Sequence, residues 1–401
     1  MQFQFGIPCQ VTFGNGAVKN IGQVLSELSA TKVLLIYDQG VEQAGIVDKV
    51  KSYMEENQVE TVSFSKVVPN PPDTILNEGA KLGRNEEVDG IVAIGGGSSI
   101  DVAKAINILL TNPGPINQYD GINMVKNQTK PLIAIPTTAG TRSEATSITV
   151  ITDTEKKRKM VIGGRHCGAD IALVDPELTI ALPPSITAAT GMDALTHAIE
   201  AYVSKFASVP SDVNALKAIE LISNNLVEAY KNGNNLEARH NMMLGSMLAA
   251  YAFNSALLGV VHAIAHPLSV YCGLPHGVAN ASTLPYVMAF NATDEHVQYR
   301  HRDIARHMGI EVNNLSDAEA SYKAIEAVKS LAEQVHIPTL SEAGVRRDQF
   351  DILAEATLNE EISIMANPTD VSKEDILDLI ETAYVGSDVK DLKYVQSPLR
   401  K

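Results

Sequence analysis

The chain has no tryptophan, and aromatic residues make up only 5% of its 401 positions. So little aromatic surface fits a small polar pocket better than a bulky apolar one. Positive charge is also scarce, with 32 basic residues against 47 acidic ones and a formal net charge of −15. Nucleic acid and anionic membranes both demand a basic footprint, so neither is expected as a partner. Cysteine is limited to Cys9, Cys167 and Cys272, odd in number and widely spaced. That usage points to a reduced, cytoplasmic chain. No run of about 18 apolar residues occurs, and the opening MQFQFGIPCQ lacks a basic segment followed by an apolar one. Neither a membrane span nor an export signal is therefore expected. Internal repeats and low-complexity tracts are missing as well.

What is present divides in two. At 401 residues the chain exceeds what one hydrophobic core usually serves, which predicts two domains. KVLLIYD (32–38), TVSFSKV (61–67), GIVAIGGG (90–97) and PLIAIPTT (131–138) read as strands, some almost continuously apolar, as parallel strands covered on both faces must be. Helical patterns separate them, so residues 1–182 are expected to form an α/β dinucleotide-binding domain with a parallel sheet. Beyond Pro183 and Pro184 the strand signals fade, and amphipathic segments at 186–205, 211–231, 236–258 and 318–335 predict an all-helical domain over 183–401.

The first half carries a nucleotide signal. AIGGGSSIDVAKA (93–105) follows a strand and opens a helix. There Gly96, Gly97 and Ser98 can bring backbone N–H groups up to a diphosphate, helped by the helix dipole, although a tight turn also calls for glycine. Asp38 ends the strand KVLLIYD, where a carboxylate can accept from a ribose 2′-hydroxyl and repel a 2′-phosphate, favouring NAD over NADP. Its plainer reading is a helix N-cap. No G-x-G-x-x-G follows the first strand, so the fingerprint is not the usual dinucleotide one.

The second half concentrates imidazoles. GVVHAIAHPLSVYCGLPHG (259–277) holds His262, His266 and His276 in an otherwise apolar stretch. A single histidine there would ordinarily be a satisfied core residue, but three together call for partners or a metal. His262 and His266 share a helix face, Pro267 is expected to stop or kink that helix, and His276 sits among Gly273, Pro275 and Gly277 in a turn. Upstream, Asp193 and His197 stand four apart in GMDALTHAIEAYVS, one turn apart on one helix face. One carboxylate and three imidazoles suit Fe(II) or Zn(II) and leave room for a substrate oxygen. Spacing alone leaves open whether His266 or His276 partners His262.

Four segments, GGGSSIDVAKA, PTTAGTRSEAT, GMDALTHAIEAYVS and VVHAIAHPLSVYCGLPHGVANA, resemble in order the signature segments of the iron-containing (group III) alcohol dehydrogenases. The resemblance implies Asp193, His197, His262 and His276 as ligands of one divalent metal. It implies His266 as a nearby catalytic group that does not ligate it, and NAD(H) as cofactor. The cofactor contacts it implies are Asp38, Asn70, Gly96, Gly97, Ser98, Thr137, Thr138, Thr141 and Lys159. The last also lies in EKKRK, an ordinary solvated charge run. At least a homodimer is implied too.

The chain departs from the family's pattern at Arg142, where a small residue is usual, and at Arg165 with His166 in GGRHCGAD. A guanidinium fork fits carboxylate or sulfonate oxygens, so Arg142 and Arg165 suggest a small anionic aldehyde such as sulfoacetaldehyde or a semialdehyde. Otherwise Arg142 pairs with Glu144 and Arg165 lies at the surface, leaving a general short-chain alcohol or diol dehydrogenase of the lactaldehyde or propanediol type. A dehydroquinate-synthase-like lyase and a filament-forming assembly protein are the alternatives from other classes.

Overall fold

The computed structural model describes residues 5–395. They divide into two compact units, Ile7–Leu182 and the chain from Pro183 onward, with Phe5 and Gly6 counted in the second.

The first unit is built on a six-stranded sheet whose pairings are all parallel. Its strands are β1 (Gln10–Phe13), β2 (Lys32–Asp38), β3 (Glu60–Val67), β4 (Gly90–Gly95), β6 (Leu132–Pro136) and β9 (Ile171–Val174). They lie in the order β1-β9-β6-β4-β2-β3. The near-continuous apolar runs have the predicted cause. Successive side chains point to opposite faces, so Leu34, Ile36, Ile91 and Ala93 enter one hydrophobic cluster while Val33, Leu35, Val92 and Ile94 enter another. From β2 the chain first pairs outward with β3 and then returns to pair β4 on the other side of β2. That reversal opens a crevice at the carboxyl ends of β2 and β4, the usual nucleotide position in such sheets.

A smaller sheet was not anticipated. It joins β5 (Gly121–Ile122) to β8 (Arg158–Gly163), which pairs antiparallel with β7 (Ile148–Asp153). The run EKKRK straddles the β7–β8 turn: Glu155 to Arg158 are exposed, whereas Lys159 is half-buried.

From Pro183 on, the described residues contain helices and no strand. Pro184–Val203, Val209–Lys231, Leu236–Ala256 and Asp317–Gln334 match the predicted segments to within two residues at each end. Pro267 does not stop its helix, which runs Val260–Cys272 and ends at Gly273 in the left-handed conformation. His276 is the first residue of the next helix, His276–Asn291, rather than part of a free turn. Gly277 lets that helix approach Pro184–Val203 closely, since a Cβ there would lie 2.3 Å from the Ala189 carbonyl oxygen. Among the described residues, no single helix is long and apolar enough to cross a membrane.

Candidate active site

In the first unit the predicted cofactor residues other than Asn70 and Lys159 lie at the carboxyl ends of β2, β4 and β6. Gly95 has φ +147°, and Gly96 caps the helix Gly97–Thr111 without any side-chain hydrogen bond to its first-turn amides. Those amides are the donors a helix leaves for an anion. A Cβ at Gly97 would come within 2.3 Å of Thr141 Oγ1, and one at Gly96 within 3.3 Å of Thr138, so a side chain would fill the turn. Thr137 is buried beside it and donates its N–H to the Gly95 carbonyl at 3.0 Å. The glycine turn therefore fits a dinucleotide diphosphate.

Asp38 meets its plainer reading directly. Its Oδ1 accepts from the amides of Gly40 at 2.9 Å and Val41 at 3.1 Å, and its Oδ2 from Ser99 Oγ at 3.0 Å. Asn70 and Lys159 form a second patch, where Lys159 Nζ donates to Asn70 Oδ1 at 2.9 Å and to Thr152 Oγ1 at 3.1 Å. Burial pushes the Lys159 ammonium down to about 8, opposed by the negative charge of Asp101.

Arg142, expected to offer its fork to a substrate anion, has a side chain with no exposed surface, and its Nη1 donates to Glu144 Oε1 at 2.6 Å. The same segment is pinned by Lys104, whose buried Nζ donates to the carbonyls of Ser143 at 2.5 Å, Thr146 at 2.9 Å and Ile148 at 2.6 Å. Asp101, pushed up to about 6 by burial, accepts from Ser143 Oγ. Arg165 is exposed on the turn after β8.

In the second unit, Asp193, His262 and His276 bring one ligand atom each to within 4.8 Å of one another. The Nε2 atoms of His262 and His276 lie 3.9 and 3.8 Å from Asp193 Oδ1. Burial pushes both imidazoles well below the ordinary value, which keeps them neutral, although Asp193 pulls His276 the other way. Asp193 Oδ2 and His197 Nδ1 are buried without a hydrogen-bond partner. Orphaned acceptors among neutral imidazoles are costly unless a ligand satisfies them, so the donor set fits a divalent cation. His197 stands beside this cluster rather than in it, its ring stacked on Phe253 at 4.7 Å and 4.6 Å from the His262 ring.

His266 also lies next to the cluster without joining it. Its ring stacks on His276 at 5.4 Å, and Nδ1 is 3.1 Å from Glu360 Oε2. The helix of His262 brings its Nε2 inward because Glu200 holds its other side. Glu200 Oε2 lies 2.5 Å from His262 Nδ1, and Oε1 accepts from the Val261 amide at 2.7 Å. The carboxylate thus caps a helix whose own N-cap, Gly259, has no side chain, and selects the tautomer that leaves Nε2 free to ligate. Burial pushes Glu200 up to about 7.

Three members of the site were missed from sequence: Glu200, Glu360 and Asn280. Glu200 had a signal, since an acid in the apolar run HAIEAYV three residues after His197 implies a buried partner. Asn280, one turn beyond His276, had the same helical spacing as Asp193 and His197. Glu360 lies 94 residues from His266, and no local pattern connects them.

The chain matches two family descriptions, "Iron-containing alcohol dehydrogenase" over residues 8–176 and "Fe-containing alcohol dehydrogenase family, C-terminal" over 187–384. It is 40% identical to the 1,3-propanediol dehydrogenase of Klebsiella pneumoniae over 385 residues, covering 95% of this chain and 99% of that one. It is 39% identical to the NAD-dependent methanol dehydrogenase of Bacillus methanolicus over 380 residues, covering 94% and 99%. A solved sulfoacetaldehyde reductase from Bifidobacterium kashiwanohense in complex with NAD+ superposes with a TM-score of 0.86 at 27% identity, covering 96% of this chain and all of that one.

Proposed function

The chain belongs to the iron-containing alcohol dehydrogenase family, which uses NAD(H) and a divalent metal, and from that premise we propose that it interconverts short uncharged alcohols or diols with their aldehydes. The observation that carries the substrate reading is the buried Arg142–Glu144 pair, which removes the fork that an anionic substrate would have needed. The two relatives named above carry methanol and 1,3-propanediol in their names, both uncharged.

Asp193, His262 and His276, with His197 turned in from beside them, would hold one divalent metal, which when bound would supply Lewis acidity toward the substrate oxygen. The residues around it do the rest. Glu200 keeps His262 in the tautomer that turns Nε2 inward. His266, held at Nδ1 by Glu360, would give a proton to the aldehyde oxygen in reduction and take one back in alcohol oxidation, while a bound NAD(H) would supply or accept the hydride. The amides of Gly97 and Ser98 receive the cofactor diphosphate, with Thr138 and Thr141 against the turn. Asn70 and Lys159 would add polar contacts to a bound cofactor, and the remaining lone pairs of Asp38 would be available to its ribose.

One observation supports the anionic alternative: Arg165 is exposed, and among the described residues it has no ion-pair partner. The test compares kcat/KM for propanal, lactaldehyde and sulfoacetaldehyde, each with NADH and NADPH, and repeats it in Arg165→Ala. The uncharged aldehydes with NADH should be preferred, and Arg165→Ala should leave that order unchanged. A preference for sulfoacetaldehyde that Arg165→Ala abolishes would replace this reading with the anionic one. The absence of net NADH oxidation with every aldehyde would favour lyase chemistry.

A further inference from the structure

The strongest unexplained group is Asn280, fully buried on the helix that begins with His276. Its amide nitrogen donates to Asp193 Oδ1 at 2.7 Å and lies 3.2 Å from His262 Nε2 and 3.1 Å from His276 Nε2. These are the three atoms of the ligand cluster. An amide nitrogen has two hydrogens and cannot serve three acceptors, and the amide oxygen is itself buried without a partner. A cation bonded to the same three atoms at about 2.0–2.2 Å would lie between them and meet the hydrogens that this nitrogen turns toward them. The carboxamide must therefore move when a cation enters. Turning it about its terminal bond exchanges a donor for the oxygen that now lacks a partner.

We infer that Asn280 belongs to the metal site as well: its carboxamide sits against the three ligand atoms and would turn its unpaired oxygen toward a bound cation. The inference rests on the metal-site reading given above and adds a residue to it. So turned, the amide oxygen would add a neutral donor, of the hard type that favours Fe(II) and Mn(II) over softer ions.

The test uses the full chain, stripped by a chelator and titrated with cobalt(II) against a competing chromophoric chelator. Wild type, Asn280→Leu, Asn280→Asp and His262→Ala are read by affinity, visible absorption and thermal unfolding. Asn280→Leu should bind cobalt roughly tenfold or more weakly and change the visible band. Asn280→Asp keeps an oxygen and loses the N–H groups, so it should bind at least as tightly as wild type and restore the band. Its metal-free form should unfold at a lower temperature than metal-free wild type, because two carboxylates then face each other. If Asn280→Asp binds as weakly as Asn280→Leu, the residue acts through N–H donation alone and the inference fails. It fails equally if Asn280→Leu keeps wild-type affinity and band. If wild type binds no cobalt, or His262→Ala binds it normally, the metal-site reading itself falls and takes the inference with it.

Discussion

Lys104 and Asn280 are both fully buried polar side chains, one in each unit, and they are treated in opposite ways. Lys104 has three hydrogens and finds carbonyls at Ser143, Thr146 and Ile148, and burial lowers its pKa against the pull of Asp101 and Glu144. Its cost of burial is offset by a complete set of partners. Asn280 meets three acceptors with two hydrogens and leaves its oxygen unpaired, with Asp193 Oδ2 and His197 Nδ1 also unpaired. The first unit does contain an isolated unpaired atom, Asp153 Oδ2. The second has others at Ser269, Arg300, His301 and Tyr394, but gathers three on residues implicated in one site, Asp193, His197 and Asn280. A satisfied buried network maintains a loop; an unsatisfied one of this kind is built for something that binds.

The largest effect should come from removing a member of the unsatisfied cluster. Asp193→Ala or His276→Ala should abolish metal binding and lower kcat/KM by about a thousandfold or more, the loss of several kcal/mol of charge stabilisation. His266→Ala should keep its metal, measured by elemental analysis, and lose roughly a hundredfold in kcat. An emptied site in His266→Ala with a loaded one in His276→Ala would reverse their roles. Next comes the satisfied network. Lys104→Met should strand three carbonyls and cost about 3 kcal/mol of stability in denaturant unfolding, with metal content unchanged. A metal loss there would erase the distinction between the two kinds of network.

The smallest effect concerns Lys159, depressed to about 8 from 10.5. The unfolded chain holds this proton more tightly than the folded one. The stability linked to this group is therefore fully present above pH 10.5 and lost as pH falls through about 8. Cofactor binding should run the other way, since only the charged form attracts the diphosphate. NADH affinity should fall by up to about tenfold between pH 7 and 9.5, and Lys159→Met should flatten that profile. An identical profile in the variant would remove Lys159 from the cofactor site.

Much of this was legible because the signals are periodic. Parallel strands buried on both faces must be apolar throughout, which made β2, β4 and β6 readable within two residues of their ends. The Asp193–His197 spacing likewise announced a shared helix face. The β7–β8 hairpin was not readable, because its strands alternate and its turn is a charge run that looks solvated. Pro267 did not end its helix, because a proline eight residues into a helix loses one backbone hydrogen bond and still leaves the tertiary packing of Val260, His262 and Ile264 intact. Arg142 could be placed only by seeing what surrounds it. Glu200, Glu360 and Asn280 act through contacts across the fold, and no spacing along the chain encodes those.

The reaction should depend on the buried Asp–His cluster. The most direct measurement strips the purified chain with a chelator and follows NADH oxidation by propanal while Fe(II) or Zn(II) is returned in steps. Activity should be absent in the stripped protein, rise linearly and level off at one metal per chain. Full activity in the stripped protein, or none at any metal loading, would contradict it.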